Sequence, residues 1–277
     1  MASGELLGAA DVRALADSIG LKPSKQRGQN FVHDANTVRR IVGLAGVGEA
    51  DTVLEVGPGL GSLTLGLLES GASVVAVEID ERLAGLLPQT VAEKMPDARE
   101  RLTVITKDAL KLEASDLTGA GSKLPTALVA NLPYNVSVPV ILHVLEQFPS
   151  VKHGLVMVQL EVAERLVAAP GSRTYGVPSV KLAWYASSKI VGTVPKNVFW
   201  PVPHIESGLV EFVRHEPPNA DREQVFSLID RAFSNRRKML RSVLGLAPDV
   251  FERAGVDPTA RGETLGIDEF VALAGSR

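Results

Sequence analysis

Thr52-Val53-Leu54-Glu55-Val56-Gly57-Pro58-Gly59-Leu60-Gly61-Ser62-Leu63-Thr64-Leu65 is the stretch on which the fold of this chain turns. Thr52–Val56 reads as a short apolar strand and Ser62–Leu68 as a helix, with Gly57, Gly59 and Gly61 in the loop between them. Glycine allows close backbone approach to a ligand, and the first amides of the helix face whatever lies there. Competing readings stay open for the loop alone. A tight strand-to-helix turn needs no ligand. A dinucleotide fingerprint would use Gly57 and Gly59 as its first two glycines, but Ser62 stands where the third belongs.

The alternation continues outward from this unit. Ser73–Ile79 reads as strand, Glu81–Lys94 as helix, Leu102–Thr106 and Thr126–Ala130 as strands, Val138–Phe148 as helix and Gly154–Gln159 as strand. A helix over Val162–Ala168 and a β-rich stretch from Trp184 to Val213 follow. Strands alternating with helices predict an α/β fold, a parallel sheet covered on both faces. Upstream, residues 11–20 form a short helix, and Asp34 caps another that carries Val38, Ile41, Val42 and Leu44 on one face. Glu216-Pro217-Pro218-Asn219 breaks the pattern. Beyond it Arg222–Phe233, Arg236–Leu244, Asp249–Ala254 and Asp268–Ala274 all read as helix. Two domains are expected, an α/β domain over residues 1–214 and a small all-α domain over residues 215–277.

Composition narrows the chemistry. With 277 residues, 45% of them hydrophobic, the chain can bury a large core. It has no Cys, which excludes disulfides, thiolate nucleophiles and Cys-based zinc sites. His33, His143, His153, His204 and His215 share no ligand spacing, so no metal is expected. An apolar run of about 18 residues, enough to span a bilayer, is missing, as is a basic-then-apolar leader. A cytoplasmic location with no membrane partner is expected. The formal net charge of −3 opposes bulk attraction to nucleic acid, so an RNA or DNA partner would need local basic patches.

In an open α/β sheet the ligand lies outside the carboxyl ends of the strands. Glu78 ends the second strand of the alternation, where an acid accepts from both hydroxyls of a ribose. Asp80 points to the same side or caps the next helix. Asp108 follows the third strand and suits an adenine amine, or caps in its turn. The fourth strand delivers Asn131-Leu132-Pro133-Tyr134 to the same rim. There Asn131 offers a carbonyl acceptor and Tyr134 a flat ring, a match for a planar base bearing an exocyclic amine. A nucleoside cofactor facing an amine-bearing planar substrate is the reading these residues support together.

The same residues carry a family likeness. Gly28-Gln29-Asn30-Phe31, the Glu55–Gly61 loop, Glu78, Asp108 and Asn131–Tyr134 resemble S-adenosylmethionine (SAM)-dependent adenine-N6 methyltransferases of ribosomal RNA. Gln159–Leu166, Tyr175-Gly176 before Ser179-Val180, Phe199-Trp200-Pro201-Val202-Pro203 with Ser207, and Asn235–Arg241 are similar to the small-subunit dimethyladenosine transferase branch. The resemblance runs from about Leu21 to Leu273. It departs at Leu160, where the family usually has Lys, and at Ser242, where an Asn often follows the basic cluster.

The resemblance implies a Rossmann-like SAM-dependent methyltransferase sheet with helices on both faces, plus a small helical RNA-binding domain. It implies dimethylation of two adjacent adenosines in the 3′-terminal hairpin of small-subunit (16S) rRNA during ribosome assembly, by an enzyme expected to be monomeric. Asn30 and the Val32 backbone would contact the methionine end of SAM, with Gly57 and Gly59 lining it. Glu78 would hold the ribose, Asp108 the cofactor adenine, and Asn131 would lie between cofactor and target.

At the target, the Asn131 oxygen and the Leu132 carbonyl would accept both amine hydrogens and aim the N6 lone pair at the sulfonium methyl. Positioning of this kind is worth ~7–11 kcal/mol. Tyr134 and Phe199 would sandwich the flipped base, at ~1–3 kcal/mol per stacked base; Phe199 read without the resemblance is a core residue beside Trp200. Arg231, Arg236, Arg237, Lys238 and Arg241 form a basic run. On a helix, residues 237 and 241 would share a face. With Lys22, Lys25 and Arg27 the run would hold RNA phosphates, or it is a solvated helix face. Rival activities are methylation of a large-subunit rRNA adenine, methylation of DNA adenine (where a second Pro usually replaces Leu132), and a non-catalytic assembly or transcription role.

Overall fold

The structure is a computed structural model that describes residues 4–23, 29–133 and 135–277. It divides into two compact units. The first comprises Met1–Ala163 and Ile190–Val213, the second Glu164–Lys189 and Arg214–Arg277. The chain therefore passes between units after residues 163, 189 and 213, whereas the sequence reading places one cut, at 214/215. Segment 164–189, which carries the helix Val177–Ala183, groups with the C-terminal helices.

The first unit opens with α1 (Ala9–Ser18), β1 (Phe31–Val32) and α2 (Ala35–Ala45). Asp34 caps α2 as expected, accepting the Thr37 N–H at 2.7 Å, and Gly46 ends it at φ 64°. Then come β2 (Thr52–Val56), α3 (Ser62–Glu69), β3 (Ser73–Glu78), α4 (Glu81–Lys94), β4 (Leu102–Thr106), α5 (Ala114–Gly119), β5 (Ala127–Asn131) and α6 (Ser137–Gln147). The last pieces are β6 (His153–Gln159), α7 (Leu160–Leu166, beginning in this unit), β7 (Ala186–Val194, ending in it), β8 (Phe199–Trp200) and β9 (Ser207–Arg214).

The main sheet has the order β4-β3-β2-β5-β6-β9-β7, with helices on both sides. From β4 to β6 every neighbouring pair is parallel. β9 runs antiparallel to β6, so the sheet is mixed and not wholly parallel as the alternation alone predicts. The difference falls in the β-rich stretch, where no helical crossover separates the strands. The order reverses around β2, which lies between β3 and β5, and this is where a doubly wound sheet opens a ligand crevice.

β2, β3 and β5 are buried on both faces, which is why they read as continuous apolar runs. Leu54, Val75 and Leu128 are almost fully buried, each side chain worth ~1.5–3 kcal/mol of transfer free energy. β1 and β8 form a separate two-stranded antiparallel ribbon, with Val32 opposite Phe199 and Phe31 opposite Trp200.

The second unit carries α8 (Val177–Ala183), α9 (Arg222–Phe233), α10 (Leu240–Leu244), α11 (Pro248–Ala254) and α12 (Ile267–Gly275). Its centre holds Leu228, Ile229, Leu240, Phe251, Phe270 and Leu273, with Phe233 set between Tyr175 and Phe270. The Tyr175 hydroxyl donates to the Leu265 carbonyl at 2.7 Å, so the one polar atom of that buried ring is satisfied. No helix among the described residues is long and apolar enough to cross a membrane.

Candidate active site

The carboxyl ends of β2, β3 and β5, with β1 and the segment before it, enclose a cavity of about 470 Å³ in the first unit. Its walls are the strand ends and glycine loop predicted to face a ligand, β1, whose Val32 the family resemblance places there, and residues of α4 and α6 that the sequence did not single out. Gly57, Gly59 and Gly61 all have positive φ (70°, 58° and 95°), a conformation that costs a side-chain-bearing residue ~1–2 kcal/mol. At Gly59 space forbids a side chain as well, since a Cβ would stand 2.7 Å from the Phe31 ring. The loop is pinned at its start by the Gly57 N–H, which donates to the Val77 carbonyl, and at its end by the Gly61 N–H to Pro58. β1 is pinned to α3 through the Ser62 hydroxyl, which donates to the Val32 carbonyl at 2.6 Å.

Glu78 is buried at the end of β3 and aimed back at the glycine loop. Its carboxylate accepts the Gly59 N–H at 3.3 Å and the Ile79 and Asp80 N–H groups at 2.9 and 3.0 Å. Burial raises its pKa, opposed by these three backbone donors. A carboxylate offers about four lone-pair directions, so acceptor capacity is left for a hydroxyl. Asp80 takes the capping alternative, accepting the Arg82 N–H at the start of α4. Asp108 also caps, accepting the Leu110 N–H at 3.0 Å, and still lines the cavity. Ile79 and Leu110, both apolar and partly or largely exposed, lie on the same rim.

Asn131 ends β5, and its side-chain N–H donates to the Asn30 carbonyl at 3.1 Å. A carbonyl oxygen only accepts, so the amide nitrogen must be the atom turned toward Asn30. Oδ1, the other arm of the planar amide, then points away from Asn30 as an acceptor. The Leu132 N–H extends the ladder to Met157 at 3.0 Å and its side chain is buried, which fixes the backbone from which the loop departs. The structure thus brings Asn30, Val32, Gly57, Gly59, Glu78, Asp108 and Asn131 to one cavity. Tyr134, Lys25 and Arg27 lie outside the described residues.

Phe199 is placed elsewhere. It is 1% exposed and sits in the core cluster of the first unit, and it is absent from the cavity wall. Its strand pairs with β1, which turns the ring inward among aliphatic side chains, so the core reading of Phe199 replaces the stacking one. The basic run also differs from expectation. Residues 234–238 form turns and α10 begins only at Leu240, so residues 237 and 241 do not share a helix face. Arg236 is engaged, its Nε donating to Glu263 at 2.5 Å and an Nη to the Arg173 carbonyl at 2.8 Å. Arg237, Lys238, Arg241 and Lys22 are exposed.

Glu55 is the residue that sequence reasoning quoted without singling out. It is 1% exposed, lines the cavity, and accepts the Thr64 hydroxyl at 2.6 Å. Burial first, and the charge of Glu78 after it, push its pKa up to about 8 against the pull of Thr64. An acid inside an otherwise apolar buried strand is the signal that marks it in the sequence.

The residues fit a cationic nucleoside. The buried Glu78 lines the cavity with acceptor capacity to spare, and acidic groups outnumber Lys107, whose ammonium is held by both Asp116 oxygens at 2.7 Å. Comparison with known proteins agrees in kind. The sequence profile described as "Ribosomal RNA adenine dimethylase" matches residues 20–273. The chain is 61% identical to "Ribosomal RNA small subunit methyltransferase A" of Cutibacterium acnes, over 99% of this chain and 95% of that one. It is 57% identical to the protein of the same name in Paenarthrobacter aurescens, over 98% and 94%. Among solved structures it is similar in fold to a dimethyladenosine transferase from Plasmodium falciparum, with TM-score 0.74, 23% identity, and coverage of 88% of this chain and 95% of that one.

Proposed function

The chain belongs to the ribosomal RNA adenine dimethylase family, and on that premise we propose that it transfers methyl groups from SAM to N6 of two adjacent adenosines in the 3′-terminal hairpin of small-subunit (16S) rRNA. The observation that carries the reading is the Asn131–Asn30 hydrogen bond, which commits the amide nitrogen and leaves the oxygen as acceptor in the cavity that Glu78 and the glycine loop also line. The relatives above 50% identity that carry the small-subunit name favour this activity over large-subunit methylation.

When bound, SAM supplies an electrophilic methyl group on a sulfonium. The chain's own residues do the rest by position. Gly57 and Gly59 let the backbone approach, Glu78 takes the ribose hydroxyls, Asp108 takes the adenine amine, and Asn30 and Val32 hold the methionine end. Asn131 Oδ1 and the Leu132 carbonyl accept the two hydrogens of the target amine. That draws the nitrogen toward a tetrahedral shape and frees a lone pair otherwise delocalised into the ring. Among the described residues no His lines the cavity, and the mechanism needs no titrating base there. Tyr134 is assigned the stacking face. RNA contacts are assigned to Lys22, Lys25, Arg27, Arg237, Lys238 and Arg241, with Arg236 in a supporting place. The enzyme acts as a monomer, in the cytoplasm, on immature small subunits.

Incubating the protein with methyl-labelled SAM and immature small subunits, then mapping the labelled bases, tests the proposal. Label on two adjacent adenosines of the 3′-terminal hairpin is expected. Label confined to large-subunit rRNA, or none at all, refutes it.

A further inference from the structure

Two acids line the cavity in different chemical settings. Glu78 accepts three backbone N–H groups, which favour its carboxylate form against the burial that raises its pKa. Glu55 has one donor, the Thr64 hydroxyl on Oε2, and its Oε1 takes no hydrogen bond among the described residues. Against Glu55, α3 supplies Thr64, which does not titrate. β3 supplies Glu78, the charged neighbour that acts on it. Of the other charged groups on the wall, Asp80 and Asp108 cap helical turns and Lys107 is turned to Asp116. Among the described residues of the wall Lys107 is the one cation, and it is held by Asp116, so none of them neutralises a second buried carboxylate beside Glu78. Complete burial, a single hydroxyl donor and the neighbouring Glu78 all favour the protonated form of Glu55 and push its pKa up to about 8.

SAM brings two cationic groups, a sulfonium and an α-ammonium. Resting on the cofactor reading above, we propose that Glu55 releases its proton as the cationic cofactor enters the cavity, so that cofactor affinity is coupled to pH through this one buried acid. The carboxyl O–H bond breaks, its electron pair stays on the carboxylate, and the proton passes to the buffer. The sign follows directly. A site that sheds a proton on binding binds more tightly as pH rises, by up to tenfold per pH unit, until the acid is ionised before binding. Thr64 tunes the process, because its hydroxyl stabilises the carboxylate form.

The test is calorimetric titration of the full-length protein with SAM between about pH 6 and pH 9, each pH in two buffers of different protonation enthalpy. The α-amino group of SAM titrates near ~8 itself, so the quantity read is the difference between wild type and Glu55→Gln. Wild type is expected to release on the order of one proton more than the variant at neutral pH. Its dissociation constant should also fall with pH more steeply than that of the variant, and level off above about 8. Equal proton counts and parallel pH profiles overturn the proposal. Thr64→Val keeps the acid and removes the donor, and it serves if Glu55→Gln does not fold. It should move the midpoint of proton release to higher pH, and an unmoved midpoint is equally fatal. Wild type that binds SAM with no pH-coupled proton release refutes the role of Glu55 alone, whereas wild type that fails to bind SAM at any pH refutes the cofactor reading beneath it.

Discussion

The side chain of Asn131 at the end of β5 donates its amide N–H to the backbone carbonyl of Asn30, 3.1 Å away, and is thereby held with its oxygen as the acceptor. The contact joins the segment before β1 to the end of a core strand, so the orientation of one amide rests on tertiary structure. Asn131→Ala removes the acceptor without opening the core, since the residue is only part-buried. Its kcat should fall ~100-fold or more, the usual cost of losing reacting-group alignment, with SAM and RNA dissociation constants little changed. Single-turnover methylation beside equilibrium binding separates these quantities. Asn131→Asp is the sharper variant. It keeps an oxygen but places it against the Asn30 carbonyl as well, and should be nearly as inactive.

Glu78→Ala should weaken SAM binding by about 10–100-fold, the equivalent of one or two hydrogen bonds to a charged group. The same change strips the Gly59, Ile79 and Asp80 N–H groups of their acceptor. Glu78→Gln retains some of those contacts and should lie between the two. Fluorescence or calorimetric titration with SAM reads the series, and an unchanged constant in Glu78→Ala would remove the residue from the ribose site.

Phe199→Ala should destabilise the first unit by ~3–5 kcal/mol, as large-to-small changes at fully buried aromatics do. Phe199→Leu fills much of the space and should fold, with a kcat close to wild type below its lowered unfolding temperature. Urea midpoints and turnover measured on the same preparations decide the matter. A Leu variant of normal stability with collapsed turnover would return Phe199 to the substrate.

The parts of the fold that were legible are those governed by local rules. β2, α2, α4, β4 and α9 fall where apolar periodicity and caps such as Asp34 and Asp80 place them. β1 was not legible, because a two-residue strand has no period and exists through its pairing with β8 far along the chain. α8 was not read from the sequence, although Pro in the first turn of a helix, as at Pro178, is well tolerated. That Glu78, Asp108 and Asn131 line one cavity was legible from their strand-end positions taken together with the glycine loop. Glu55 was not weighed, since its meaning depends on complete burial and on the neighbouring charge of Glu78, both properties of the folded sheet. The basic run misled in detail because charge carries no period. Asn235–Lys238 form a turn, and Arg236 is spent on Glu263.

That last distinction is measurable. Arg237 and Lys238 are exposed on the turn before α10, and each that neutralises a phosphate contributes ~0.7–0.9 to the slope of log affinity against log salt. Arg237→Ala and Lys238→Ala should each weaken rRNA binding and flatten that slope by about this amount. Arg236→Ala should leave the slope alone. Its guanidinium already binds Glu263 and the Arg173 carbonyl, and losing an exposed pair of this kind costs ~0–1 kcal/mol of stability. Filter binding of a small-subunit rRNA hairpin across a salt series compares the three variants. A flattened slope for Arg236→Ala, with none for Arg237→Ala, would mean that the guanidinium leaves Glu263 for RNA.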